Sequence, residues 1–215
     1  MKRIGLTQRV EIIEPSKERR DCLDQKWVSL LSACGLLSIP LCNGVENIEF
    51  YLDTLSLDGL ILTGGNDLVA YGDSGTASER DKFEFTAINY FSKKGLPVLG
   101  VCRGIQVLNV WNGGKLAHID DHAGSRHKVR ILEPGYFHES GTIEVNSFHN
   151  FGITEQNLSE SLRAIAIGDD GTIEAIVEKT KPQLGVMWHP EREKPFDPRD
   201  IHMIENYFSI TSNKD

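Results

Sequence analysis

A cysteine between two glycines opens the chemical question. In Gly100-Val101-Cys102-Arg103-Gly104 the thiol follows a short apolar run, Val98, Leu99 and Val101, and precedes Ile105, Val107, Leu108 and Trp111, which recur at helical spacing. A strand, a tight turn and a helix are therefore expected here. The pattern is the cysteine form of the G-x-S-x-G nucleophile elbow, in which the glycines let strand and helix close around a strained turn residue. Such a turn sets the sulfur beside the positive end of a helix dipole, where a thiol pKa falls and backbone N–H groups face a developing oxyanion. Taken alone, the pentapeptide fits a buried structural cysteine equally well.

A nucleophilic thiol needs a general base, and the base needs an orienting group. Of the seven histidines, His189 follows an apolar strand, residues 184–188, and precedes a carboxylate in His189-Pro190-Glu191. In an extended segment this spacing puts both side chains on one side, and Pro190 stiffens it. A strand-end histidine beside a surface glutamate is the plain alternative. His118, His122 and His127, with Asp120 and Asp121, raise the question of a metal, but their spacing fits no helix face. A solvated polar loop accounts for them better, and no metal is expected. Thr63-Gly64-Gly65-Asn66-Asp67 marks either backbone approaching a ligand or a tight turn. Val145-Asn146-Ser147-Phe148-His149-Asn150 is a substrate-contact loop or only a turn.

The elements that must position these groups alternate. Strands are expected at 4–10, 36–41, 57–62 and 97–101, and helices at 18–33, 45–55, 79–94 and from Ile105, with Leu23, Trp27, Leu30 and Leu31 as the first apolar stripe. This order predicts a parallel sheet with helices on both faces and ligands beyond the carboxyl ends of its strands, where both glycine-rich turns fall. After Gly113 the texture changes to short β-like segments, 115–118, 127–132, 141–145, 163–167, 173–178 and 184–188, expected to extend the sheet with antiparallel strands. Asp169-Asp170-Gly171 forms a hairpin turn between two of them, and Asp197-Pro198 caps a last helix with Ile201, Ile204, Tyr207 and Phe208 on its apolar face. Residues 68–78 are a Gly- and Ser-rich loop, and 209–215 a polar tail. The expected fold is a single three-layer α/β domain over residues 1–215, flavodoxin-like in its parallel part.

The bulk numbers exclude some functions. Lys plus Arg at 23 against Asp plus Glu at 31 gives a net charge of −8, which disfavours a general nucleic-acid or anionic-membrane surface. Neither a signal-peptide core nor a membrane-spanning stretch is evident, so a cytoplasmic protein is expected. Cys22, Cys34, Cys42 and Cys102 show no C-x-x-C pairing and read as free thiols.

Taken in order, LTGGND, ERDKFE, PVLGVCRGIQVLNVWNGG, VNSFHN, DGTIEAI and LGVMWHPE resemble the class I glutamine amidotransferase-like proteins, over nearly the whole chain. Within that group the chain is similar to the free-standing peptidase C26 branch that includes γ-glutamyl-γ-aminobutyrate hydrolases. The resemblance implies Cys102 as nucleophile, His189 as base and acid, Glu191 as its orienter, and an oxyanion hole from the N–H groups of Gly65 and Arg103. Gln106, Ser147, Phe148 and His149 would hold the γ-glutamyl group. It implies hydrolysis of a γ-glutamyl amide through a glutamyl thioester, with neither metal nor organic cofactor. The short length and the ending HPEREKPFDPRD resemble compact members of bacterial surface-polysaccharide (capsule) phosphoramidate pathways, which remove glutamate from a cytidine-diphosphate amidate. Arg126, His127, Lys128, Arg130, Arg9, Arg80 and Arg192 are then candidates for a diphosphate, or else an ordinary solvated face. A glutaminase subunit feeding ammonia to a partner synthase, and a non-catalytic binding module, are the other readings. Monomer and homodimer both stay open.

Overall fold

The computed structural model describes residues 1–72, 76–137 and 140–210. The chain opens with β1 (Arg3–Leu6), a hairpin of β2 (Arg9–Ile13) and β3 (Glu18–Cys22), then α1 (Lys26–Ala33), β4 (Leu37–Pro40), α2 (Ile48–Leu55), β5 (Gly59–Leu62), α3 (Ser78–Lys94) and β6 (Val98–Val101). Through Cys102 it enters α4 (Arg103–Trp111), followed by β7 (Ala117–His118), β8 (Ser125–Ile131), β9 (Gly141–Ser147) and β10 (Phe151–Gly152). β11 (Leu162–Gly168), β12 (Ile173–Glu178), β13 (Gln183–Val186) and α5 (Pro198–Ile210) complete it.

The main sheet has the order β4-β1-β5-β6-β13-β12-β11-β8-β9. From β4 to β13 every pairing is parallel, and from β13 to β9 every pairing is antiparallel. Because successive strand residues face opposite ways, Ile61 and Leu99 join one core with Trp27, Leu31, Ile204 and Phe208. Leu60, Leu62 and Val98 join the other with Leu52, Phe83, Phe91 and Leu108. Helices α1 and α5 thus cover one face and α2, α3 and α4 the other, the expected three layers. Each fully buried Leu or Ile contributes about 1.5–3 kcal/mol. Among the described residues no helix is long and apolar enough to cross a membrane.

Several expectations are corrected. The first strand ends at Leu6, and residues 18–22 are strand rather than helix, because the chain reverses through a turn with Lys17 at φ 59° and pairs Ile13 with Glu18. β13 runs parallel to β6 instead of antiparallel, and β7 leaves the main sheet to pair with β10. The last helix extends through Ser209 and Ile210, into the segment read as tail. The rest of that tail, 211–215, and residues 73–75 of the predicted 68–78 loop lie outside the described residues.

Candidate active site

The turn after β6 is as tight as its glycines suggest. A Cβ on Gly100 would fall 2.5 Å from the Gly104 carbonyl oxygen, and one on Gly104 would fall 2.2 Å from the carbonyl oxygen of Leu62. Strand, helix and the neighbouring β5 close on one another only because both positions lack side chains. Between them Cys102 sits at φ 52°, ψ −104°, a conformation costing about 1–3 kcal/mol that the surroundings must impose. Its N–H donates to the Val186 carbonyl at 2.9 Å, which ties the turn to the end of β13. The N–H of Arg103 is among the first in α4, which find no partner inside a helix.

β13 ends three residues before His189, whose Nδ1 lies 2.7 Å from Glu191 Oε1. Both side chains are buried. An extended segment was expected to align them, yet the contact comes from a 3-10 turn, Pro190–Arg192, with the Arg192 N–H donating to the His189 carbonyl. Burial works against a charged imidazole here, but Cys102 and Glu191 outweigh it and raise the His189 pKa to about 9. A protonated imidazole facing a sulfur is the partner a thiolate needs.

A polar cavity of about 240 Å³ opens beside the thiol, lined by Gly65, Asp67, Cys102, Arg103, Gln106 and His149 among others. Gly65 is held at φ 91° on its rim. Gln106 donates to the Phe151 carbonyl at 2.8 Å. Phe148 meets the His189 ring edge-on at 5.6 Å, and the Arg192 guanidinium lies over the Phe148 ring, 4.4 Å from its centre. Burial pushes the His149 pKa down to about 4. Ser147 is the exception among the expected contacts. It is buried at the end of β9, its hydroxyl has no hydrogen-bond partner among the described residues, and it is not part of the cavity wall.

Two supports escaped the reading of motifs. Asn146 grips the main chain of His189 twice, accepting from its N–H at 2.9 Å and donating to its carbonyl at 3.0 Å. The quoted VNSFHN run contains this residue but gives no sign of the partner. Behind the elbow, Arg103 pairs with Glu84 and Asp81, while Arg80 donates to Glu84 at 2.9 Å and to the Thr63 carbonyl at 2.7 Å. The network joins the 63–65 loop to the cysteine turn. Arg80 is therefore fully buried and paired, not available to a diphosphate. Arg126 is engaged with Glu144 and Glu193, and Arg130 stands exposed on β8. Arg9 and Arg192 do reach the site, bordering a narrow recess with Gly64, Gly65 and His189. His118 is exposed but lies on β7 rather than in the expected loop, whereas His122 is buried and both it and His127 turn toward Glu174.

A γ-glutamyl-CDP-amidate hydrolase of Campylobacter jejuni is 32% identical over 96% of this chain and 98% of its own length. A γ-glutamyl-γ-aminobutyrate hydrolase of Escherichia coli K12 is 28% identical over 79% of this chain and 78% of its own. In fold, a glutamine amidotransferase of Thermotoga maritima superimposes with a TM-score of 0.66 at 17% identity, covering 97% of this chain and 94% of that one. The peptidase C26 family model matches residues 4–191, a span that holds the elbow, His189 and Glu191 alike, and this chain belongs to that family.

Proposed function

We propose that this chain is a free-standing hydrolase of a γ-glutamyl amide, with Cys102 as nucleophile, His189 as general acid and base, and Glu191 as the group that orients His189. The observation that carries the reading is the meeting, at one strained turn, of a thiol, an imidazole bonded to a buried carboxylate, and a helix N-terminus that opens on a polar cavity. In this scheme the Cys102 thiolate attacks the δ-carbonyl carbon, and the N–H groups of Gly65 and Arg103 receive the oxyanion. Collapse breaks the C–N bond as His189 gives its proton to the departing nitrogen. Water, deprotonated by His189, then cleaves the glutamyl thioester, returning the thiol and releasing glutamate.

For the leaving group, the favoured candidate is the cytidine-diphosphate amidate, which the relative sharing 32% identity over nearly both full lengths acts on by name. Arg9 and Arg192 beside His189 suit an anionic leaving group emerging on that side. Release of glutamate, measured without any partner protein from γ-glutamyl-CDP-amidate, γ-glutamyl-γ-aminobutyrate and glutamine, tests both levels. Turnover fastest on the amidate, and lost by at least about 10³-fold in Cys102→Ala, is the expected result. Preference for the γ-aminobutyrate conjugate would move the substrate assignment. Slow glutamine hydrolysis alone would favour a partner-dependent glutaminase.

A further inference from the structure

On the far side of His149, away from the thiol, three side chains from distant parts of the chain converge. Glu174 arrives through a β-bulge: Ala166 pairs with Ala175 and Ile167 with Ile173, so Glu174 is the extra residue, and its carboxylate turns inward at 1% exposure. The Thr172 hydroxyl, which donates to Asp170 Oδ1 at 2.6 Å, stands 3.2 Å from Oε1, while Oε2 has no aligned hydrogen-bond partner. His127 Nε2 lies 3.4 Å from Oε2 without the alignment of a hydrogen bond, and neither nitrogen of this ring is satisfied. A buried carboxylate and a half-buried imidazole thus face one another with neither held in an aligned hydrogen bond.

His122 completes the group. His149 Nδ1 faces the Phe151 carbonyl at 3.0 Å, so that nitrogen donates and His149 Nε2 is left to accept from His122 Nδ1 at 3.3 Å. The other nitrogen of His122 faces Asp170 Oδ2 at 2.9 Å. Two lone pairs cannot share that gap unless a proton or a cation stands between or beside them. One ligand atom each from His122, His127 and Glu174 lie within 4.8 Å of one another. Around an ion with bonds of about 2.0–2.2 Å, tetrahedral ligand atoms stand about 3.4 Å apart, so small side-chain rotations close the set. Strand β11 leaves room beside it: a Cβ on Gly168 would fall 2.8 Å from both Asp170 Oδ1 and Thr172 Oγ1. An open polar hollow bordered by Asp120, Asp121, His122, Ser125, His127 and Asp170 gives an ion a way in.

We propose that His122, His127 and Glu174, with Asp170 as a fourth oxygen donor, bind one divalent transition-metal ion of the zinc class. Two imidazoles and carboxylate oxygens suit zinc, cobalt or manganese, and a ligating histidine that passes its other N–H to a neighbour is the usual outer-shell arrangement. Here that neighbour is His149, which lines the Cys102 cavity. The ion is a positioning device for that wall and takes no part in bond making.

The test uses the full chain, stripped with a chelator and titrated with Co²⁺ and Zn²⁺. One equivalent should bind, giving a cobalt spectrum free of thiolate charge-transfer absorption, which separates this site from the four cysteines. His127→Asn and Glu174→Gln should each weaken binding by at least about tenfold, and Zn²⁺ should raise the melting temperature of the wild type but of neither variant. No stoichiometric binding, a thiolate band, or affinity unchanged in His127→Asn would overturn the proposal. His127 is partly exposed, so this variant decides the question even if Glu174→Gln does not fold.

Discussion

Two polar clusters flank the Cys102 cavity, one reaching it through Arg103 and the other standing behind His149, and they are built on opposite terms. In the parallel half, Arg80, Glu84, Arg103 and Asp81 match charge to charge. Burial alone would lift the Glu84 carboxyl, but Arg103, Arg80 and the Thr7 hydroxyl hold it below the ordinary carboxylate range. In the antiparallel half, the half-buried His127 and the fully buried Glu174 keep polar atoms without a hydrogen-bond partner, beside His122. A charge-matched cluster, in which Arg103 Nε lacks a hydrogen-bond partner, holds its shape, whereas one that leaves a carboxylate oxygen and an imidazole unpartnered has capacity for a guest. The first therefore fixes the elbow and the 63–65 loop, and the second is where the molecule can be adjusted.

The contrast is sharpest under mutation. Glu84→Gln leaves two guanidinium groups buried with their shared counter-charge removed, and should cost about 3–5 kcal/mol in urea-unfolding stability. A loss below about 1 kcal/mol would mean that the charge-matched cluster is not a scaffold. Asp200 supplies an intermediate case, a buried carboxyl that accepts from the Trp188 indole at 3.0 Å. Burial lifts its pKa to about 7, so between its unfolded value of 3.8 and 7 the folded chain keeps a proton that the unfolded chain has released. Stability from this group is full below pH 3.8, falls as pH rises, and levels off above 7. Asp200→Asn, which still accepts from the indole, should flatten that decline and gain up to about 4 kcal/mol at pH 8, each of the roughly three pKa units being worth about 1.4 kcal/mol. An unchanged slope would show that Asp200 is charged throughout.

Smaller effects follow from single hydrogen bonds. Asn146→Ala should lower kcat by roughly 10–100-fold with little change in KM, because it frees the main chain of His189 without touching the substrate cavity. An equal rise in KM would place Asn146 in binding instead. Smallest of all, His127→Asn in the metal-free protein should alter stability by less than about 1 kcal/mol, since it breaks no aligned hydrogen bond. A large loss there would erase the distinction between the two clusters.

What the sequence makes legible follows the same division. The elbow is readable because its glycines and apolar flanks are local signals, and His189 and Glu191 because they are two residues apart after a strand. The hairpin over residues 9–22 is not, since Glu18-Arg19-Arg20-Asp21 has no apolar alternation and stands exposed on both faces. Arg80 and Glu84 look like any surface pair one helical turn apart, and only the closure of the 63–65 loop over α3 reveals them as interior. Glu174 is hidden for the opposite reason. It sits inside an apolar strand, and the bulge that aims it at His127 depends on pairing with β11, which no spacing along the chain displays.

The closing helix has a meaning for where this protein can be cut. Tyr207 donates its hydroxyl to the carbonyls of Val98 and Pro182, and Phe208 fills the space that Gly59 leaves, with a Cβ there only 2.5 Å from its ring. A chain shortened to the family-matched residues 4–191 would keep the thiol, the imidazole and the carboxylate, yet expose the underside of β5, β6 and β13. The closing helix, beyond the family-matched span, is thus part of what the central sheet packs against.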